Sequence, residues 1–295
     1  MRSFRLSRDV TGAVNVLLIV LIAVLMVSAS TVVILIYQGG QSEEGSSDIV
    51  AVGQTIKVNY TGKLLDGRVF DTSYLTVAND DANYPKTLSF TKRSNSSYTP
   101  LSFQVGAGRM ISGFDAAVVG MKVGETKTVT LTPDEAYGDM DPSKLVTFQL
   151  TENVPLLKVF TSSAFQAEYG VAPAYHLMVS DPRYGWDAIV EAYDEQADRV
   201  NVKNVPTIDS LYHIYGTGSV GWDVKVMAMD SSSGLITIQH QLDDGDSDMI
   251  KGLDGTSTFF ITGVDQDGGT AMRNYNTELL GKSLVFTITI VSIVD

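Results

Sequence analysis

Cysteine is absent from this chain, and histidine is scarce, with three in 295 residues. The first absence excludes disulfides, thiolate nucleophiles and Cys-based metal sites. It names no compartment, because a chain that needs no covalent staple folds on either side of a membrane. The histidines, His176, His213 and His240, lie far apart, and no His-rich metal-binding tract is visible. Basic residues are also in deficit: 21 Lys and Arg stand against 34 Asp and Glu, a net charge of -13. So acidic a body repels nucleic acid and anionic headgroups, and most of the acid reads as solvated surface. What is plentiful is apolar side chain, 44% of residues, enough to bury a full core, and the length suggests roughly two domains.

The first positive feature is an uncharged run from Ala13 to Tyr37, long enough to span a hydrocarbon core. Arg2, Arg5 and Arg8 precede it and a Ser/Gly/Glu-rich stretch follows. The positive-inside rule therefore makes residues 1–12 a cytoplasmic tail, 13–37 a transmembrane helix and 38–50 a flexible linker, with the rest outside the cell membrane. A cleaved signal peptide is the competing reading. Ser28-Ala-Ser30 is a small-residue stretch, but Val32 to Tyr37 stays apolar beyond it, which favours an uncleaved anchor.

Beyond the linker the pattern becomes β-rich. Thr55 to Tyr60 alternates in period two, Asp66-Gly67 supplies a turn, and Phe70-Asp71 leads into a long polar loop from Thr72 to Pro100. Leu101 to Val105 alternates again. Phe114, Ala117, Val118 and Met121 then fall at helical spacing, with Ser112 and Asp115 suggesting a capping box and Gly120 a stop. A strand over Thr126 to Leu131 ends in a loop, Thr132 to Gly138, that carries the lone aromatic Tyr137. The C-terminal stretch Leu284 to Ile293 puts Leu284, Phe286, Ile288 and Ile290 on one face but has no partner nearby in sequence. It is expected to pair with strands from residues 55 to 131, which makes the chain between them an insertion.

That insertion contains a repeat. Gly185-Trp-Asp-Ala-Ile-Val-Glu-Ala-Tyr-Asp194 matches Gly221-Trp-Asp-Val-Lys-Val-Met-Ala-Met-Asp230 at an offset of 36. Each copy predicts a hairpin, returning over Val200 to Asn204 and Leu235 to His240, and a weaker third runs from Phe259 to Val264 and turns at Asp265 to Gly269. Three hairpins predict a small all-β domain.

The segments Val58-Asn-Tyr-Thr-Gly, Asp66-Gly67 with Val69-Phe-Asp71, Gly113 to Met121 with Val123-Gly-Glu125, Pro133-Asp-Glu-Ala-Tyr-Gly138 and Leu284-Val-Phe286, in this order and spacing, resemble the FKBP-type peptidyl-prolyl cis-trans isomerases. The insertion after the Ala-Tyr-Gly loop and the return Asn276-Thr-Glu-Leu-Leu-Gly281 resemble the insert-in-flap subfamily, the SlyD-like and archaeal long forms. The resemblance implies an α+β fold, a bent antiparallel sheet wrapped on a short helix over 51–150 plus 276–295, with an inserted mostly-β substrate-binding domain over 151–275. It implies a proline pocket with catalytic roles for Tyr60, Phe70, Asp71, Ile111, Tyr137 and Phe286, and substrate contacts from Phe103, Met110, Phe114 and Leu101. Single-domain relatives often have Trp where Phe114 stands, and Leu101 sits where an aromatic is common. No cofactor and no metal are implied. The partners are proline-containing unfolded or exported polypeptides, and the oligomeric state is left open.

Two further patterns are weak. Asp243 to Asp248 is acid-rich, but Met249 stands where an EF-hand needs glycine and no glutamate closes the loop, so a solvated hairpin end is the better reading. Asn95-Ser-Ser97 has the form of a glycan acceptor. The alternative to an enzyme is a non-catalytic, membrane-tethered chaperone or binding module on the same frame.

Overall fold

The computed structural model describes residues 48–294. The expected tail, the apolar run Ala13–Tyr37 and most of the linker lie outside the described residues. Among the described residues, no helix is long and apolar enough to cross a membrane.

The elements follow in the order β1 (Thr55–Leu64), β2 (Val69–Thr72), α1 (Leu75–Asn79), β3 (Leu101–Gln104), α2 (Ser112–Val118) and β4 (Thr126–Leu131). The insertion then supplies β5 (Leu145–Gln149), β6 (Thr151–Pro155), β7 (Leu157–Phe160), α3 (Ser162–Tyr169), β8 (Met178–Ser180), β9 (Asp187–Asp194), β10 (Arg199–Asn204), β11 (Leu211–Ile214), β12 (Trp222–Asp230), β13 (Leu235–His240), β14 (Lys251–Asp254), β15 (Ser257–Asp265) and β16 (Thr270–Asn274). Last comes β17 (Leu284–Val294).

β17 has the partners its sequence calls for. It lies antiparallel between β1 and β4, and β1 carries β3 and β2 along its other edge, giving a five-stranded sheet. Alternation puts Ile56, Val58, Tyr60 and Leu64 of β1 and Leu284, Phe286, Ile288 and Ile290 of β17 on one buried face. Helix α2 closes that face with Phe114, Ala117 and Val118, and Met121 follows just beyond it. The apolar stripe holds as read, but the capping box does not. Ile111 is the N-cap, Ser112 Oγ donates to the Glu135 carbonyl at 3.2 Å, and Asp115 accepts the Gly106 N–H at 2.9 and 3.0 Å. Both side chains tie the helix to neighbouring loops instead of to its own first turn. Gly120, at φ +81°, provides the left-handed turn that ends the segment.

The insertion makes three four-stranded antiparallel sheets, β8-β9-β10-β7, β11-β12-β13-β6 and β14-β15-β16-β5. The hairpins β9–β10, β12–β13 and β15–β16 match the sequence repeat down to the register. Each has one bulged residue, Glu191, Met227 and Thr262, and the first two are 36 residues apart. Each first strand ends on an aspartate whose carboxylate accepts an N–H of the turn: Asp194 from Gln196 at 3.0 Å, Asp230 from Ser232 at 2.8 Å and Asp265 from Gly268 at 2.8 Å. The two tryptophans are also matched, Trp186 Nε1 donating to Asn204 Oδ1 at 3.0 Å and Trp222 Nε1 to His240 Nδ1 at 2.9 Å. In the third copy no tryptophan occupies this place, and its likeness in sequence is correspondingly faint.

Residues 145–149 form β5 and pair with β16 of the insertion. One expectation is corrected here: the insertion is not all-β, because α3 starts at the Thr161 cap, whose Oγ1 accepts the Ala164 N–H at 3.2 Å, and stops at Gly170, φ +73°. The chain leaves and returns at one place: Asn276 Nδ2 donates to the Asp141 carbonyl at 3.0 Å and Gly281 N to the Gly138 carbonyl at 2.8 Å. In the acidic stretch, Asp243 and Asp246 bond the backbone of their own turn and Asp248 pairs with Lys282 at 2.6 Å. Among the described residues, no group of three or more acidic or imidazole side chains is placed to hold a metal ion.

His213 offers a test of the insertion. Its Nε2 lies 2.8 Å from the Val220 carbonyl and its Nδ1 2.8 Å from Asp223, so both ring nitrogens face acceptors, an arrangement that only the imidazolium satisfies. The Val220 carbonyl first, then Asp223, outweigh burial and raise its pKa. The raised pKa makes this stabilisation complete below about pH 6.5, the unfolded value, and removes it as pH rises through the folded value. Thermal unfolding of the wild type should therefore lose stability between pH 6 and 8 relative to His213→Gln. Parallel pH profiles would show that the imidazolium contributes nothing.

Candidate active site

A cavity of about 200 Å³ opens between α2 and the concave face of the five-stranded sheet. Tyr60, Phe70, Asp71, Leu101, Met110, Ile111, Phe114, Tyr137 and Phe286 line it, which brings together nine of the ten residues expected from sequence. Phe103 is the exception. It shares the inward face of β3 with Leu101 but packs against Phe114, ring centroids 5.8 Å apart, and is buried in the core beyond the cavity.

Phe286 is the hub of the walls. Its ring centroid lies 5.0 Å from Phe114 and 5.4 Å from Phe70, both edge to face, and 6.5 Å from Tyr60. Each such pair contributes about 0.5–1.5 kcal/mol beyond the area it buries. The gap that admits these rings is Gly62, near the C-terminal end of β1. A Cβ there would stand 2.4 Å from Phe70 Cζ and 2.9 Å from Phe286 Cε1.

The polar part is small and directed. Tyr60 Oη donates to Asp71 Oδ2 at 2.5 Å, and Asp71 Oδ1 accepts the Thr72 N–H at 2.8 Å and lies 3.3 Å from Arg93 Nη2. Burial, and then the bond to Asp71, push the Tyr60 hydroxyl well above its ordinary pKa, so it stays protonated. Ser73 Oγ accepts the Tyr60 N–H at 2.9 Å, locking the end of β2 to the strand that carries the tyrosine. Tyr137, 49% exposed, hangs over the opening from its loop, its pKa raised by burial and then by Asp71. Among the described residues its hydroxyl has no protein partner, and neither has the Ile111 N–H.

Two site residues were not found from sequence. Arg109 lines the cavity beside Met110 and had only that adjacency as a signal. Arg93, which also donates to the Thr72 carbonyl at 2.5 Å, arrives from the long polar loop and had none. That loop, residues 73–100, lines no part of the cavity, so it neither walls nor plugs it. A larger cleft of about 710 Å³ lies among the sheets of the insertion, with Glu168, Arg183, His213 and Asp254 on its walls.

The lining holds no serine, cysteine, histidine or lysine, and its one carboxylate, Asp71, is engaged by Tyr60, the Thr72 N–H and Arg93. It offers a desolvated aromatic slot with hydrogen-bond donors at its rim. Such a site suits the binding of a small apolar ring. The family model for FKBP-type peptidyl-prolyl cis-trans isomerases matches residues 47–151. A short-type peptidyl-prolyl cis-trans isomerase of Methanocaldococcus jannaschii is 35% identical over 124 residues, covering 42% of this chain and 69% of that protein. FK506-binding protein 1 of Dictyostelium discoideum is 36% identical over 96 residues, covering 32% of this chain and 70% of that protein. Among solved structures, the crystal structure of AtFKBP13 is 31% identical, covering 31% of this chain and 61% of that one, with a TM-score of 0.23. The chain belongs to the FKBP-type peptidyl-prolyl cis-trans isomerases.

Gly62→Ala tests the ring contacts. The added methyl must displace Phe70 or Phe286, which should lower stability by about 1–3 kcal/mol in denaturant unfolding and reduce isomerisation of a proline peptide. A variant with unaltered midpoint and rate would contradict the close approach of the rings.

Proposed function

We propose that this chain is a membrane-tethered prolyl isomerase that assists the folding of exported polypeptides at the outer face of the cell membrane, with its insertion capturing the client. The observation that carries the catalytic part is the convergence of Tyr60, Phe70, Phe114 and Phe286 around one cavity whose rim bears two unengaged donors.

Rotation about an X-Pro bond is slow because the amide loses resonance at the half-turned midpoint, a barrier of about 18–20 kcal/mol, while its two ends differ by only about 1 kcal/mol. An apolar slot that holds the ring, excludes water and favours the twisted amide over either planar form is sufficient, and about 4 kcal/mol of preference gives roughly a thousandfold. In this reading the four aromatic rings grip and desolvate the proline. Tyr137 Oη and the Ile111 N–H donate to the peptide backbone on either side of it. Asp71 has both oxygens engaged by Tyr60, Thr72 and Arg93, so it orients the Tyr60 hydroxyl instead of approaching the substrate carbonyl.

The capture role rests on the first sheet of the insertion. Its register places Leu157, Lys203, Ile189 and Met178 in one row across four strands, and Leu157 and Met178 are exposed. An apolar row with a lysine stem suits an extended, unfolded segment. A capture surface joined to the proline slot raises the local concentration of client. The tether and the outer-face location rest on the Ala13–Tyr37 run and the arginines before it.

Tyr137→Phe removes one donor while touching no hydrogen bond inside the protein, so kcat/KM on a proline tetrapeptide should fall about three- to tenfold with no change in unfolding midpoint. Replacing residues 145–274 with a short linker should leave peptide isomerisation in place and slow proline-limited refolding of an unfolded protein. Equal refolding rates with and without the insertion would remove its capture role. Absence of peptide isomerisation in the full chain would leave only the tethered binding module.

A further inference from the structure

We propose that Arg109 is a specificity-determining residue, selecting polypeptides that carry an acidic side chain next to the proline. The proposal depends on the reading above, that the aromatic cavity holds the prolyl ring.

Two charged side chains line the cavity, Asp71 and Arg109. The first is spent, accepting from Tyr60 and from the Thr72 N–H and paired with Arg93. Arg109 is exposed and, among the described residues, has no hydrogen bond, ion pair or aromatic stack. Acidic groups on the neighbouring segments are turned elsewhere: Asp115 takes the Gly106 N–H, and Glu135 takes the Thr132 N–H and hydroxyl. An otherwise apolar slot thus presents one unspent cation at its rim.

The placement of that cation matters as much as its sign. Arg109 stands two residues before Ile111, whose N–H is one of the donors assigned to the substrate backbone, so a peptide held there carries its flanking side chains within reach of a guanidinium. The net charge of -13 does not cancel the effect, because charges beyond about 8 Å are screened at physiological ionic strength and only the local groups decide. A half-exposed pair of this kind gives a preference of about three- to fivefold.

The test uses the full chain and two tetrapeptide series, with Glu, Gln, Leu or Lys immediately before or immediately after the proline. The readout is the Glu-to-Gln ratio of kcat/KM within a series, which a general loss of activity does not move. We expect a ratio of about three to five in at least one series at physiological ionic strength, falling with further NaCl and with lysine the poorest residue. Arg109→Gln should bring the ratio to about one, Arg109→Lys should keep part of it, and Arg109→Glu should invert the order of Glu and Lys. A ratio near one in both series for the wild type, or a preference that survives Arg109→Gln, overturns the proposal while leaving prolyl isomerisation standing on the Leu peptides. No turnover of any peptide would overturn the proline-slot reading and this inference with it.

Discussion

The antiparallel pairing of β17 with β1 and β4 is the constraint on which the structure depends. Without it β1 and β4 share no edge, the concave face has no floor, and Phe286, which three other rings contact, has no fixed position. The strand arrives only after the insertion has been traversed, so the sheet that makes the cavity closes late in sequence. Loop-closure entropy grows only slowly with loop length, which is how so long an interruption is tolerated once the ends of the insertion are pinned together. The bonds between Asp141 and Asn276 and between Gly138 and Gly281 do that pinning.

The cavity follows from a balance between large and absent side chains. Four aromatic residues crowd one face, and the space they need exists because Gly62 offers none of its own. The acid at the rim is fully engaged, which turns a potentially reactive carboxylate into a support for a tyrosine. What remains to face a substrate is apolar surface, two donors and one arginine, a set suited to binding a twisted amide and to nothing that requires proton transfer.

The insertion shows how a repeated hairpin builds sheets of its own. Each hairpin repeats the bulge, the aspartate-led turn and, in two copies, the tryptophan anchored to the end of the returning strand. None of the three can bury both its edges alone. The successive short strands β5, β6 and β7 each complete one sheet, so a single run of chain ties all three together.

Much of this was legible in the sequence because it is local. Period-two alternation in β1, β3 and β17, the helical stripe of α2, and the offset between Gly185 and Gly221 are properties of neighbouring residues, and the structure keeps them. The strands β5 to β7 were not legible, since four or five residues hold too little pattern to distinguish a strand from a loop. Nor was the capping of α2, where the same Ser and Asp that fit a box bond to adjacent loops instead. The sequence by itself determined which faces are apolar and that the last strand must find distant partners, because burial follows from side-chain chemistry and spacing. Only the tertiary structure decided that Phe103 lies behind the slot, that Arg93 reaches Asp71 from a polar loop and that Arg109 is left unpaired among the described residues, because which side of a ring a neighbour occupies, and which charges meet, depends on segments brought together in space and leaves no trace in spacing along the chain.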